Sequence, residues 1–330
     1  MRKPHLVPIL LIALALAACA SPRIAPPGAR PGPAELTSRY FITADGLALP
    51  LRQWTPAGAP KALVLGLHGF NDYSAAFEAV GAQLAEAGVL TLAYDQRGFG
   101  AAPHRGLWPG GGPMRADAAD LARLMRARWP DRPLYLLGLS MGGAVAMTAL
   151  AEAPELAAGA VLVAPAVRGR NSLPVWQRWG LDLMAATAPG LPATVQGIGI
   201  EPTDNLAVLR AMSLDPLVIK DTRIDALHGL VGLMTEASAA AARQETPLLL
   251  LYGLKDDLVP KAATATALKA LPQDRGHRVA VYRDGRHMLL RDKRGGQAVR
   301  DILAWMQAPS APLPSGADTD AFARLTAAQN

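Results

Sequence analysis

Residues Leu134–Ala146 read LYLLGLSMGGAVA, and the change of character at Ser140 decides the fold. Leu134 to Leu139 is a short, nearly continuous apolar run, the composition of a strand buried on both faces. From Met141 onward the residues are small and compatible with a helix. Between the two, Ser140 is fenced by Gly138, Gly142 and Gly143, so the chain must turn sharply where a strand ends and a helix begins. A turn of this kind strains the serine backbone in a way that only small neighbours accommodate. It also holds the hydroxyl at the carboxyl edge of a sheet, beside the amino end of a helix. The five-residue pattern Gly138-Leu139-Ser140-Met141-Gly142 arises by chance in Gly- and Ala-rich chains. The strand before it and the helix after it make Ser140 a candidate nucleophile rather than a solvated turn residue.

Working outward, apolar runs of the same type recur at ALVLGL (62–67), VLTLAY (89–94), AVLVA (160–164), LLLLY (248–252) and RVAVY (278–282). Helical patterns separate them, at 75–87, 117–128, 141–151, 262–271 and 297–306. This alternation predicts the α/β class: a doubly wound, mostly parallel sheet. RYFIT (39–43) and LALPLRQW (47–54) flank Ala44-Asp45-Gly46, which predicts an antiparallel hairpin leading into it. The interval 167–243 is too long for an ordinary crossover. It carries Trp176, Trp179, Leu183, Leu206, Leu230 and Met234 at imperfect helical spacing, which predicts a helical cap over the sheet.

The chain has 330 residues and a formal charge of +6, with the arginines scattered and no run of five like charges. Solvated surface explains that balance better than nucleic-acid binding. The start, MRKPHLVPILLIALALAACAS, has two basic residues, an apolar core and small residues, the layout of a secretory signal over residues 1–18. The single cysteine, Cys19, ends Leu16-Ala17-Ala18-Cys19, which resembles a bacterial lipobox. That resemblance implies cleavage before Cys19, lipidation of it and a membrane anchor. The residue after it is Ala20 rather than Asp, which by the same resemblance implies the outer membrane of a bacterial envelope, facing the periplasm. A plain cleaved signal with an incidental Cys19 is the alternative. Residues 19–36 are Pro-rich and read as an extended tether, 37–307 as the folded domain, and 308–330 as a flexible tail in which Phe322–Ala327 carries the pattern of one weak helical turn.

A serine hydroxyl needs a base, and the base an orienting acid, here in the chain order Ser, acid, His. Of six histidines, His5 lies in the signal, His68 and His104 precede the serine, and His228 lies in the insertion. His277 enters the last strand from its amino edge, whereas active groups gather at carboxyl ends. His287, just beyond RVAVY, remains as the base. The acid should follow LLLLY, where Asp256 and Asp257 both stand; spacing does not choose between them, and Asp284 in an Asp-Gly turn is a third possibility. An oxyanion needs two N–H donors. Met141 supplies one and Phe70, in His68-Gly69-Phe70 after an early strand, supplies the other. His68 reads as support for that loop. No clustered His and carboxylate spacing suggests a metal, and no phosphate loop or cofactor signature is visible.

Taken together, His68-Gly69-Phe70, YDQRGFG (94–100), GLSMGG (138–143), YGLKDDLV (252–259) and GRHMLLRD (285–292) resemble the serine α/β-hydrolases. They are most similar to the monoacylglycerol lipase and lysophospholipase-like branch, over Tyr40 to Met306. The resemblance implies Asp256 as the acid, since the branch places it three residues after the strand-end glycine, with Ser140 as nucleophile and His287 as base. It implies a cap at the insertion, a structural use for YDQRGFG, and acyl transfer on monoacylglycerols or lysophospholipids without a cofactor. Peptidase-like or other small-ester chemistry on the same triad is one alternative. A non-catalytic lipoprotein that binds lipid or an envelope partner is another.

Overall fold

In the computed structural model, which describes residues 22–193 and 199–327, every apolar run named above forms a strand. The strands are β1 (Glu35–Leu36), β2 (Tyr40–Ile42), β3 (Ala48–Trp54), β4 (Ala62–Leu67), β5 (Val89–Tyr94), β6 (Leu134–Leu139) and β7 (Gly159–Val163). After these come β8 (Pro192–Ala193), β9 (Thr222–Arg223), β10 (Leu248–Gly253) and β11 (Arg278–Tyr282). Nine of them make one sheet in the order β1-β2-β3-β5-β4-β6-β7-β10-β11. The first three are antiparallel to their neighbours, and β5, β4, β6, β7, β10 and β11 run parallel to one another. Strands β5 and β10 are buried along their whole length, which is why their sequences show no polar alternation.

The helices are α1 (Glu78–Glu86), α2 (Gly111–Arg128), α3 (Met141–Glu152), α4 (Val175–Thr187) and α5 (Leu206–Leu214). They continue with α6 (Ile224–Ala240), α7 (Lys261–Ala270), α8 (Gly295–Gln307) and α9 (Ala321–Thr326). Helices α4 to α6 occupy the predicted cap interval. They differ in attachment. Helix α6 packs along α3 with Val231, Leu233, Ala237 and Ala240 buried, so it belongs as much to the core as to the cap. Helix α4 buries only Ala185, and α5 buries nothing. Trp176, Trp179 and Leu183, at helical spacing on α4, are 73, 74 and 63% exposed.

Two expectations are corrected. The segment before the hairpin is not a free tether from residue 22 onward. Its backbone is laid across cap and core: Arg23 N–H donates to Asp225 Oδ2 (3.0 Å) on α6, and Ala25 N–H to the Trp108 carbonyl (2.9 Å). Gly28 N–H then donates to Asp45 Oδ2 (3.0 Å) in the hairpin turn. Nor are residues 308–330 a loose tail as far as residue 327. Leu313, Ala317, Ala321 and Leu325 are buried, and Val281 on the edge strand β11 donates to the Ala317 carbonyl (2.8 Å). In both segments prolines and small residues obscure the pattern, except at the helical turn expected over 322–327, which forms α9; elsewhere order comes largely from backbone bonds to partners distant in sequence. Cys19 and the signal region lie outside the described residues. Among the described residues no helix is long and apolar enough to cross a membrane.

Candidate active site

Ser140 sits between β6 and α3 with φ 49° and ψ −110°, a strained backbone for a residue with a side chain. Its N–H donates to the Val163 carbonyl (2.9 Å) and its carbonyl accepts from Ala166 (3.0 Å), so β7 and the loop after it hold the strained turn. The glycines are required by contact. A Cβ on Gly138 would lie 2.5 Å from the Gly142 oxygen and 2.6 Å from Gly143 Cα; one on Gly142 would overlap the Leu67 carbonyl. The turn is pressed against the end of β4, which brings the His68-Gly69-Phe70 loop beside Ser140.

That loop is braced from below. His68 is wholly buried; its Nδ1 lies 2.8 Å from the Gly69 carbonyl, and Nε2 accepts from Gln96 N–H at 2.9 Å. Only the neutral tautomer with the proton on Nδ1 satisfies both. Burial lowers the pKa of His68, opposed chiefly by its Gly69 hydrogen bond. The Gln96 side chain donates back to the His68 carbonyl (2.9 Å). His68 is thus a support with no free nitrogen for proton transfer. Among the described residues neither Phe70 nor Met141 N–H has an acceptor. The Phe70 ring is held edge-on by Phe99 at 5.5 Å and tilted against Trp108 at 6.3 Å.

At the other side, the turns after β10 and β11 are bonded to each other. Leu254 N–H donates to the Tyr282 carbonyl (2.9 Å) and Lys255 N–H to that of Gly285 (2.9 Å). This pairing brings Asp256 Oδ2 to 2.9 Å from His287 Nδ1, with the Asp256 side chain wholly buried. Asp256 Oδ1 accepts from Leu258 N–H (2.8 Å) and Val259 N–H (2.9 Å). Asp257 is exposed, and Asp284 pairs with Lys255 on the surface. Geometry therefore brings Asp256, not its neighbour, to the imidazole. His277 lies at the amino end of β10, accepting from Leu248 N–H (3.3 Å), and His228 contacts Asp182 in the cap.

Ser140, His287 and Phe70 line one cavity of about 620 Å³, within the usual range for a small-molecule site. Its walls are mainly aliphatic, with Leu230, Val231, Met234 and Ile219 from the cap, and Leu139 and Leu258 from the sheet side. The Ser140 hydroxyl makes no direct hydrogen bond to His287, whose hydrogen-bond partner is Asp256; catalytic hydrogen bonds of this kind often tighten only in the complex with substrate. The sequence reading missed several bracing residues. Asp72, just after Phe70, pairs with Arg291 (2.9 Å) beyond His287. Asp292 accepts from Arg286 N–H (2.8 Å) and from the Thr203 hydroxyl (2.7 Å) of the cap. Asp292 closes a motif that drew attention for His287, Asp72 stands two residues beyond His68-Gly69-Phe70, and nothing local distinguishes either from a surface carboxylate.

The family described as "Serine aminopeptidase, S33" matches residues 58–294, most of the chain. The chain belongs to this family. Within the wider set of similar proteins, human monoglyceride lipase is 27% identical over 76% of this chain and 83% of its own length. The Mycolicibacterium smegmatis monoacylglycerol lipase is 25% identical over 81% of this chain and 95% of its own. In structure, a soluble variant of the Saccharomyces cerevisiae monoglyceride lipase, in complex with a substrate analog, superposes with a TM-score of 0.69 at 16% identity. That match covers 84% of this chain and 98% of the other, and shows a shared α/β-hydrolase fold.

Proposed function

We propose that this family member is a carboxylic-ester hydrolase that cleaves lipid-like acyl esters, monoacylglycerols or lysophospholipids, through an acyl-enzyme. The observation that carries the reading is the buried Asp256–His287 pair and the strained Ser140 facing one apolar cavity. Ser140 attacks the ester carbonyl and its proton passes to His287, whose positive charge Asp256 stabilises. The N–H groups of Phe70 and Met141 receive the oxyanion. Collapse of the tetrahedral intermediate expels the alcohol, which takes its proton from His287. Water, deprotonated by the same imidazole, then releases the fatty acid. The aliphatic walls suit an acyl chain, and the relatives named above are called lipases. The test is hydrolysis of 1-monoacylglycerols and of aminoacyl arylamides by the wild type and Ser140→Ala. Glyceride turnover lost by at least a thousandfold in the variant supports the proposal. Arylamide turnover without glyceride turnover replaces it with peptidase chemistry.

Membrane anchoring through a lipidated Cys19, in the bacterial outer membrane facing the periplasm, is part of the same proposal. It rests on the leader's resemblance to a lipobox, with support from the exposed aromatic stripe on α4. Because the chain is docked from Arg23, four residue steps of up to about 3.6 Å separate Cys19 from that point, roughly 14 Å. Such a link holds the body against the bilayer rather than off it. Cys19→Ser should move the protein from the membrane to the soluble fraction; unchanged partition refutes the anchor.

A further inference from the structure

Among the described residues, five that line the cavity bear a titratable or charged group: Asp72, Arg168, Lys220, His287 and Arg291. Four have partners. Asp72 and Arg291 neutralise each other at 2.9 Å, and His287 rests on Asp256. Lys220 Nζ donates to the Asp215 and Val218 carbonyls (2.6 and 2.8 Å), with the Asp215 carboxylate close by, itself accepting from Tyr73 (2.6 Å). Arg168 differs. It is half-buried, and among the described residues its guanidinium makes no hydrogen bond or ion pair. Arg170, two residues on, is by contrast bidentate to Asp182.

The backbone around Arg168 is pinned. Ala166, two residues before, donates to the Ser140 carbonyl (3.0 Å), and Gly169 N–H closes a tight turn onto the Val167 carbonyl (2.9 Å). Arg170 N–H donates to the Thr235 hydroxyl (2.8 Å) on α6. A fixed stem two residues from the nucleophile's own hydrogen-bond partner thus carries an uncompensated cation at the wall of an otherwise aliphatic cavity. Guanidinium presents a planar fork that matches phosphate and carboxylate, and a partly desolvated one is stabilised by exactly such an anion. Building on the ester-hydrolase reading, we propose that Arg168 receives an anion carried by the alcohol part of the substrate. The preferred substrates are then acyl esters of phosphorylated or carboxylated alcohols rather than neutral glycerides.

The test uses three monomeric substrates with one acyl chain: 1-octanoylglycerol, 1-octanoylglycerol 3-phosphate and O-octanoyl-lactate. Wild type should show kcat/KM for the phosphate or the carboxylate ester at least about tenfold above the neutral one, as a charge-assisted contact allows. The two anionic arms decide which anion is meant. Arg168→Met and Arg168→Gln should bring the anionic-to-neutral ratio within about twofold of unity, with Arg168→Lys in between. Labelling of Ser140 by a fluorophosphonate reports separately that each variant is folded. A wild type that prefers the neutral ester, or variants that keep the wild-type ratio, overturns the assignment. Glyceride turnover without anion preference strikes Arg168 alone; no turnover of any ester and no labelling strikes the hydrolase reading and this inference with it.

Discussion

Asp256→Asn tests the site at the atom that distinguishes a working imidazole from an inert one. The carboxylate's Oδ1 is held by two backbone donors, Leu258 and Val259, while Oδ2 faces His287 Nδ1 at 2.9 Å. An amide fits this position in one orientation. Its oxygen must stay with the two N–H groups, because an NH₂ there would leave both unpaired. The NH₂ is therefore turned toward His287 Nδ1, which has to accept, so the ring proton moves to Nε2 and the nitrogen meant to take the serine proton is already protonated. Loss of the negative charge also leaves the developing imidazolium without its counter-ion. In Ser-His-Asp proteases the same exchange costs about four orders of magnitude, so a loss of roughly 10³- to 10⁴-fold in kcat is expected, or about 4–5.5 kcal/mol. The substitution is isosteric and keeps the two backbone bonds, so the melting temperature should fall by no more than about 4 °C, the shift for ~1 kcal/mol in a domain this size. The assay is p-nitrophenyl octanoate hydrolysis alongside thermal melts, with the exposed neighbour Asp257→Asn expected within twofold of wild type. Retention of a tenth or more of the activity in Asp256→Asn, or an equal loss in Asp257→Asn, refutes the reasoning.

Other outcomes follow from the packing. Burial keeps His68 neutral in the fold, whereas the unfolded chain protonates it below about pH 6.5. Its contribution to stability is therefore complete above that value and declines as pH falls toward the lowered folded-state pKa, by up to about 1.4 kcal/mol per pH unit. In denaturant melts from pH 8 to 5, the stability gap between wild type and His68→Gln should narrow below pH 6.5; a constant or widening gap counts against it. Arg97 is bound to both Asp45 and Asp117, with Asp117 nearly inaccessible at 2% exposure, so Arg97→Met strands two carboxylates. A loss of about 3–5 kcal/mol is expected in urea melts, and a change below 1 kcal/mol would show the pair to be dispensable. Truncation after Gln307 removes the buried Leu313, Ala317, Ala321 and Leu325 and uncovers β11. About 5 kcal/mol of burial is lost at ~1.5–3 kcal/mol per leucine side chain and less per alanine, and light scattering should report association through the bared edge. An unchanged melting temperature and a monodisperse truncated protein would restore the view of a loose tail.

How legible the molecule was differs by element. The central strands could be read because parallel strands buried on both faces must be apolar throughout, and β4 and β5 match their runs residue for residue. The elbow could be read because its glycines answer a local collision. Residues 22–36 and 308–320 could not, since they gain their order from backbone bonds to distant partners and from scattered side chains that leave no periodic trace. The bracing acids Asp72 and Asp292 were invisible for a related reason: their partners, Arg291 and Thr203, stand 219 and 89 residues away.

Sequence by itself determined the sheet, the elbow at Ser140 and the class of chemistry, because burial and backbone collision are conditions that each residue meets with its immediate neighbours. Spacing left Asp256 and Asp257 open and the family resemblance pointed to Asp256; only the tertiary structure shows the physical reason. Two adjacent carboxylates are equivalent in spacing, and what separates them is the pairing of the turns after β10 and β11, which buries one against the imidazole and leaves the other in water. The same holds for Arg168: its charge was written in the chain, but its want of a partner is a property of everything folded around it.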